Sequence, residues 1–313
     1  MEQAILGATG DVGGLLLEEL RNRDLEVTAL SRNVPENDSR IEGVKYLPAD
    51  AENLDSLVTA TRGLDVLYST IAVPYGTESW QQSWPVIMRN IISAARSNNF
   101  KLVFLDNIYM YGRVEGPITE ETPIHPASKK GEVRTKIASM LLDAMAAGEV
   151  NAVIGRSADF YGPDTRMSRN FFEGTLNDGV ATWKGKTDVM CTWNYTLDNA
   201  KALAVLGNDT RAEGQVWHLP AAPAMKGSEF IKLAGSILGK ELKTVLIPNA
   251  EPGSREAFKA QMPEIYEMLY QYEYDLDFNS DKFQETFGIK PTSYEDGFRY
   301  VYKLLQQRAD SQK

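Results

Sequence analysis

The sequence predicts an α/β fold, in which a doubly wound parallel sheet is joined to a smaller, discontinuous α/β domain in the C-terminal half. Short apolar segments alternate with amphipathic segments of helical length through the first half of the 313 residues, which is typical of right-handed βαβ units. A glycine-rich turn follows the first apolar segment. The alternation ends after Tyr161-Gly162-Pro163, which predicts the second domain.

The elements of the first half follow from the spacing of apolar residues. Strands are predicted where these residues run together, at Gln3–Leu6, Glu26–Leu30, Val44–Leu47, Asp65–Ala72, Leu102–Leu105 and Val150–Ile154. Helices are predicted where they recur on one face, at Val12–Arg21, Asn53–Thr61, Trp84–Ser97 and Gly131–Ala147. In such a sheet, ligands bind outside the carboxyl ends of the strands.

The second half is less regular. It contains predicted strands at Asp188–Tyr195, Gln215–Leu219 and Glu241–Ile247, and helices at Asp198–Leu206, Ser228–Leu238, Glu264–Tyr272 and Tyr294–Gln306. We assign residues 1–162 and 190–220 to the main domain, and residues 163–189 and 221–313 to a smaller substrate-binding domain. The tyrosine-rich segment 263–278 is typical of either a lid or an oligomer contact.

The composition argues against several classes of function. A net charge of −10 argues against nucleic acid and anionic membranes as partners. The single cysteine, Cys191, excludes an internal disulfide and is typical of a reducing compartment. The two histidines, His125 and His218, are far apart, so no metal site is expected. The opening MEQAILGATG lacks the positive flank of a signal peptide, and no apolar run reaches the ~18 residues of a membrane span, so a cytoplasmic protein is expected.

The turn Gly7-Ala8-Thr9-Gly10-Asp11-Val12-Gly13 predicts a dinucleotide site. Its glycines serve a tight turn, the close approach of the backbone to a pyrophosphate, and the close packing of helix on strand. The N–H groups and the dipole at a helix N-terminus favour the bound phosphate. We therefore expect a Rossmann domain in which NAD(P) contacts the turn residues Gly7, Thr9, Gly10, Asp11, Val12 and Gly13; a plain turn is the alternative.

The end of the second strand predicts which nicotinamide cofactor is preferred. An NAD site usually has a carboxylate here that accepts from the ribose 2′-hydroxyl. This chain has Ser31 and Arg32 instead, and a hydroxyl with a guanidinium suits a 2′-phosphate. NADP is therefore the expected cofactor, with NAD possible and a solvated loop arginine as the alternative for Arg32.

Two further segments are expected to contact the cofactor. Asp50 and Ala51 follow the third strand and would face the adenine ring, although Asp50 could also cap the next helix. The residues at the end of the fourth strand, Ile71, Ala72 and Val73, should lie beside the nicotinamide half.

These motifs resemble the extended short-chain dehydrogenase/reductase family, which includes nucleotide-sugar epimerases and dehydratases. GATGDVGG is similar to the family's glycine motif, VFLDNIYMYG to the strand that usually carries two serines before a Tyr-Gly pair, and RSADFYGP to the segment that leads into the substrate domain. TWNYTLDNAKAL and SDKFQETFGIKPTSYEDGF are similar to later signatures. The resemblance covers nearly the whole chain and implies a monomer or a homodimer formed by a helix pair.

The departures from the family pattern fall on its catalytic residues. In the family a serine or threonine polarises the substrate carbonyl, a tyrosine moves the proton, and a lysine one turn later assists the tyrosine and holds the nicotinamide ribose. The matching positions here are Asn107, Lys130 and Arg134. No tyrosine lies between Tyr111 and Tyr161, so the resemblance implies an atypical member without the Tyr-x-x-x-Lys pair.

Lys130 is the first candidate for the missing proton donor. It shares a helix face with Arg134, and a neighbouring positive charge and burial both favour a neutral lysine that can exchange protons. Asn107 could donate to a carbonyl oxygen, Tyr109 is a second candidate acid, and Lys130 and Arg134 could bind cofactor. The alternative is that Lys129, Lys130 and Arg134 form a solvated basic patch.

These features together predict a function with two alternatives. Arg166 and Arg169 could hold an anionic group of a small-molecule substrate, and Trp193 could line its cleft. The main hypothesis is an NADP(H)-dependent oxidoreductase that acts on a carbonyl or an activated double bond. The alternatives are a non-catalytic NADP(H)-binding sensor, and a nucleotide-sugar epimerase or dehydratase, which normally needs the absent tyrosine.

Overall fold

The computed structural model describes residues 1–36 and 41–311. The chain divides into two compact units. The first unit comprises Met1–Met110, Lys129–Ser157 and Asn199–Leu219. The second unit comprises Tyr111–Ser128, Ala158–Asp198 and Pro220–Lys313.

Strands and helices alternate through the first unit, and short strands are interspersed through the second. The strands are β1 Gln3–Leu6, β2 Val27–Ser31, β3 Lys45–Pro48, β4 Val66–Ser69, β5 Lys101–Asn107, β6 Pro117–Ile118, β7 Ala152–Ser157, β8 Asp159–Tyr161, β9 Val180–Lys184, β10 Met190–Cys191, β11 Trp193–Tyr195, β12 Val216–His218, β13 Met225–Lys226, β14 Lys243–Ile247 and β15 Asp277–Phe278. The α-helices are α1 Asp11–Asn22, α2 Leu54–Ala60, α3 Thr77–Asn98, α4 Lys129–Ala146, α5 Thr196–Asn208, α6 Gly227–Leu238, α7 Ser254–Gln261, α8 Pro263–Tyr266, α9 Asp281–Phe287 and α10 Tyr294–Ser311. Short 3₁₀ helices cover Tyr109–Tyr111, Thr210–Ala212 and Leu269–Tyr272, and a π-helical segment covers Ser168–Asp178.

A seven-stranded sheet forms the centre of the first unit, in the order β12-β7-β5-β4-β1-β2-β3. Every neighbouring pair is parallel, which confirms the predicted α/β fold class. The late strand predicted at Gln215–Leu219 joins this sheet as β12 and pairs with β7. The strand order reverses direction at β1 and β4, so a ligand crevice is expected at the carboxyl ends of these two strands.

Helix α3 differs most from its predicted bounds in the first unit. It begins at Thr77 rather than at Trp84, and Pro85 lies inside the helix instead of in its first turn. Trp80 and Trp84 are both buried on this helix. Burial of these indoles outweighs the backbone hydrogen bond that Pro85 cannot donate, a balance that is not visible in the local sequence.

An aromatic core fills the second unit. The ring centroids of Trp193 and Phe230 lie 4.1 Å apart, and those of Phe172 and Phe298 lie 4.7 Å apart. Strands β8 and β11, β9 and β14, and β6 and β15 pair in parallel, whereas β10 and β13 are antiparallel. The single strand predicted at Asp188–Tyr195 is two strands, because β10 and β11 have different partners.

The unit boundaries differ from the predicted domain boundaries. Residues 111–128, 158–162 and 190–198 lie in the second unit, although the sequence assigned them to the main domain. The reason is strand pairing: β6, β8, β10 and β11 all pair with strands of the second unit rather than with the central sheet. A pairing between distant short strands leaves no local signal in the sequence.

Candidate functional site

The glycine turn packs against the end of β4 so closely that two of its glycines admit no side chain. Gly7 has a φ of +95°, and a Cβ added to it would lie 2.9 Å from the backbone nitrogen of Ile71. A Cβ added to Gly13 would lie 2.1 Å from the carbonyl oxygen of Gly7. Helix α1 is therefore held directly on the turn and on the carboxyl end of β4.

The start of α1 suits an anion. Gly10 is the N-cap residue, it is exposed, and it supplies no side-chain cap. Thr9 lies within the turn, and Asp11, Val12 and Gly13 form the first turn of the helix. Backbone N–H groups at an uncapped helix start favour a phosphate. The geometry of the turn therefore fits the pyrophosphate of NAD(P).

The end of β2 places its two candidate residues differently. Ser31 is buried, and its hydroxyl donates to the carbonyl oxygen of Asn33 at 2.8 Å. Arg32 is exposed. Arg32 follows a strand of the central sheet at its carboxyl end, a location compatible with a 2′-phosphate contact and with a solvated arginine. Both remain predictions. Residues 37–40 lie outside the described residues.

The turn after β3 is organised by Asp50 and Asn53. Asn53 caps α2, since its side-chain oxygen accepts from the backbone nitrogen of Ser56 at 3.0 Å. Asp50 accepts from the backbone nitrogen of Glu52 at 3.0 Å, so the suggestion that Asp50 caps this helix is wrong. Ala51 is buried beside it.

The predicted nicotinamide segment directly follows β4. Ile71 and Val73 are half-buried, and Ala72 is exposed. The backbone of Ile71 contacts Gly7, which places this segment beside the glycine turn.

Arg134 is locked into a buried charge cluster at the end of β5. Its Nε donates to Asp106 Oδ1 at 3.0 Å, and its Nη2 donates to the same oxygen. Arg156 Nε approaches Asp106 Oδ2 at 3.4 Å. The Arg134 guanidinium also lies 4.6 Å from the ring centroid of Trp84. These contacts give Arg134 a structural task in addition to any cofactor contact.

Lys130 is also drawn inward from the start of α4. Its side chain is fully buried, with Nζ 3.3 Å from Thr77 Oγ1 and 4.9 Å from the ring centroid of Tyr75. Lys129, its neighbour in sequence, is exposed. The solvated-patch alternative therefore holds for Lys129 and is wrong for Lys130 and Arg134, because the latter two lie on the face of α4 that packs towards α3 and β5.

Asn107 is the last residue of β5, and Tyr109 opens the 3₁₀ helix that follows it. Asn107 Oδ1 accepts from the backbone nitrogen of Tyr109 at 3.1 Å, which leaves the amide NH₂ as the group that could donate to a carbonyl. The Tyr109 ring stacks on Trp80 with a centroid separation of 6.1 Å and an interplanar angle of 13°. The packing of this ring favours a structural role for Tyr109, in addition to its predicted role as a candidate acid.

The predicted substrate residues belong to the second unit. Arg166 and Arg169 are exposed. Trp193 is 3% exposed, and its ring packs in the aromatic core on Phe230. Arg166 and Arg169 are therefore accessible to a ligand, whereas Trp193 as placed packs against other rings.

The comparison with protein families decides the identity at family level. The model of the NAD dependent epimerase/dehydratase family matches residues 4–218. The chain belongs to this family. A comparison of the chain with curated proteins gives no match.

Solved structures agree with the fold. UDP-glucuronic acid 4-epimerase from Bacillus cereus, in complex with UDP-glucuronic acid and NAD, is 18% identical, with a TM-score of 0.80 over 98% of this chain and 100% of that one. UDP-glucose 4-epimerase from Thermus thermophilus, in complex with NAD, is 17% identical, with a TM-score of 0.78 over 98% and 99% of the two chains. MoeE5 with UDP-glucose and NAD is 18% identical, with a TM-score of 0.78 over 99% and 100%. At these identities the likeness shows the fold alone.

A metal-binding cluster and a membrane-spanning helix are both absent from the described part of the chain. Residues 1–36 and 41–311 contain no group of three or more His, Cys, Asp or Glu side chains that could hold a metal ion. Among the same residues, every helix is too short or too polar to cross a bilayer.

The immediate surroundings of Lys130 are not evident from the sequence. Tyr75 and Thr77 precede the helix predicted at Trp84–Ser97, and the sequence predicts no role for either. A correctly predicted start of α3 would have drawn attention to these two residues, since Thr77 opens the helix after the N-cap residue Gly76.

Proposed function

We propose that this family member is an NAD(P)-dependent enzyme that acts at a hydroxyl-bearing or carbonyl carbon of a small molecule of the nucleotide-sugar class. Hydride exchange at such a carbon is common to the oxidoreductase hypothesis and to the epimerase or dehydratase alternative. Membership of the epimerase/dehydratase family supports the second, and the nucleotide sugars named with the similar structures suggest the substrate class.

The observation that carries this proposal is the burial of Lys130. A lysine is seldom fully buried unless its ammonium is paired or has a function. Lys130 occupies the position of the family tyrosine and reaches Thr77 and Tyr75 instead of solvent. Lys130 would move the proton that the family tyrosine moves, while Asn107 would donate to the substrate oxygen and Tyr109 is the second candidate acid.

The first unit would hold the cofactor through residues already described. Gly10 and the first turn of α1 would bind the pyrophosphate, Asp50 and Ala51 the adenine, and Ile71, Ala72 and Val73 the nicotinamide half. Lys130 and Arg134 would contact the ribose. When bound, the cofactor would supply or accept a hydride.

Cofactor and substrate selectivity would rest on three arginines. Arg32 and Ser31 would favour NADP through the 2′-phosphate, although the similar structures were solved with NAD. In the second unit, Arg166 and Arg169 are exposed and would bind an anionic group of the substrate. Trp193, which is buried, would act through packing.

Two measurements test this function in sequence. NADH and NADPH are first titrated by fluorescence. Consumption of the bound nucleotide is then followed with aldehydes, ketones, enones and nucleotide sugars, and sugar products are separated. We expect binding, followed by conversion of a nucleotide sugar or net reduction of a carbonyl compound. Absence of binding would overturn the whole proposal.

The two enzyme hypotheses differ in their products. Sugar isomers or dehydrated sugars without net oxidation indicate an epimerase or dehydratase, whereas consumption of NADPH indicates a reductase. Binding without turnover across the panel would overturn the enzyme and support the sensor. Arg134, at the position that matches the family lysine, forms an ion pair with Asp106. This structural pairing favours the sensor.

A further inference from the structure

Three titratable side chains from separate elements meet inside the second unit, and none of them is among the residues assigned above to the cofactor. Asp159 begins β8, Lys184 ends β9, and Tyr272 ends the 3₁₀ helix Leu269–Tyr272. Lys184 Nζ donates to the Tyr272 hydroxyl at 3.3 Å, and that hydroxyl donates to Asp159 Oδ2. Lys184 Nζ also lies 4.5 Å from the ring centroid of Tyr272.

The cluster combines a fixed centre with accessible ends. Tyr272 is buried, and its backbone carbonyl accepts from the Lys186 nitrogen at 2.8 Å. Asp159 and Lys184 are half-buried, so each keeps part of its surface exposed. The buried phenol of Tyr272 lies between the charges of Lys184 and Asp159, which distinguishes this cluster from an ordinary surface ion pair.

The hydrogen bonds in the cluster all run in one direction, from ammonium to hydroxyl to carboxylate. A shift of one proton along each bond moves a proton from Lys184 to Tyr272 and one from Tyr272 to Asp159. The result is a neutral amine, an unchanged phenol and a neutral carboxylic acid. The arrangement therefore contains its own route for deprotonating Lys184.

The electrostatic surroundings of Lys184 act in both directions. Burial lowers the pKa of Lys184 most strongly, Asp159 raises it, and Arg166 lowers it. The net pKa lies below the ordinary value for lysine. A desolvated lysine beside a second cation is the usual setting of a nucleophilic amine.

We propose that Lys184 is a carbonyl-reactive amine, assisted by Tyr272 and Asp159, that binds aldehydes or ketones as an imine within the second unit. The neutral amine attacks the carbonyl carbon, and a C–N bond forms as the carbonyl oxygen takes a proton from the Tyr272 hydroxyl. Asp159 returns a proton to Tyr272. A proton of the attacking nitrogen then passes to the hydroxyl group, which leaves as water; the C–O bond breaks and the protonated imine remains. No oxidant or reductant takes part.

Reductive trapping tests this directly on the full chain. The protein is treated with limiting propanal and cyanoborohydride near neutral pH, and peptide mass spectrometry gives the rate of propylation at each lysine. Lys186, exposed and two residues away, is the internal control. We expect Lys184 to react at least about tenfold faster than Lys186, because a hydroxyl is positioned beside Lys184 to protonate the carbonyl oxygen. Equal rates would overturn the proposal.

The contribution of Tyr272 is tested by Tyr272→Phe, with Tyr274→Phe, an exposed tyrosine of the same segment, as the matched control. Circular dichroism verifies that both variants fold. A positioned acid contributes on the order of 100-fold, so trapping at Lys184 should fall by about 100-fold in Tyr272→Phe alone. An unchanged rate in folded Tyr272→Phe would refute the relay.

The pH profile distinguishes a reactive amine from a merely accessible one. Because its pKa is lowered, Lys184 should keep its trapping rate to lower pH than Lys186. Parallel profiles for the two lysines would contradict the proposal. None of these measurements involves NAD(P), so their failure would leave the proposed cofactor function untouched.

Discussion

Replacing Asp106 by asparagine tests whether the charge cluster at the end of β5 holds the first unit together. Asp106 is 2% exposed and bonds to Arg134 Nε at 3.0 Å, to Arg134 Nη2, and to Arg156 Nε at 3.4 Å. The substitution removes the negative charge that these two guanidinium groups share. Loss of one partner of a buried ion pair costs about 3–5 kcal/mol.

The assay is urea unfolding without cofactor, followed by circular dichroism. We expect the free energy of unfolding to fall by about 3–5 kcal/mol, and the midpoint to shift on the order of 1 M or more. Asp209→Asn is the matched control, because the Arg211–Asp209 pair has a 2.6 Å contact but is exposed, and should show little change. Equal midpoints for the two variants would refute the structural role of Asp106 and Arg134.

Three further predictions concern the glycine turn, the cysteine and the cofactor preference. Gly13→Ala places a Cβ 2.1 Å from the Gly7 carbonyl oxygen, so unfolding free energy should fall by about 1–3 kcal/mol and NADH titrations should show weaker binding. Gly14→Ala, whose nearest contact would be 3.7 Å, should instead stabilise α1 by about 0.5–1 kcal/mol. Burial raises the pKa of the Cys191 thiol to about 12, so at neutral pH a disulfide reagent should react with Cys191 only after urea unfolding. Calorimetry should show that Arg32→Gln raises the Kd of NADPH about tenfold and leaves that of NADH unchanged.

Each of these predictions has a contradicting result. Equal stability of the two alanine variants would contradict the close packing of the turn on α1. Rapid modification of Cys191 in the folded chain would contradict its burial. Unchanged NADPH affinity in Arg32→Gln would remove the proposed 2′-phosphate contact, and an equal loss for NADH would indicate a general effect on the site.

The central sheet could be predicted because its signals are local. Each buried strand is a short apolar run, and Gly7 and Gly13 stand at fixed positions between β1 and α1. The second unit could not be predicted as well, because its small strands pair across long stretches of sequence. The pairing of β9 with β14, for example, joins residues near 180 to residues near 245.

The candidate site stays a prediction, and the sequence indicates only part of the contacts that its residues make. Family spacing pointed to Lys130 and Arg134, and helical periodicity placed them on one face. The partner of each was unpredictable, since Asp106 and Thr77 come from different elements. Burial decides which of two adjacent lysines faces inward, and the sequence around Lys129 and Lys130 does not encode that choice locally.

The central claim is that Lys130 replaces the family tyrosine. The most direct test compares the turnover of Lys130→Met with that of Lys129→Met, using whichever substrate the panel identifies and saturating NAD(P)H. We predict a loss of at least about 100-fold for Lys130→Met, with the variant folded and still binding cofactor, and an unchanged rate for Lys129→Met. Equal rates for the two variants would contradict it.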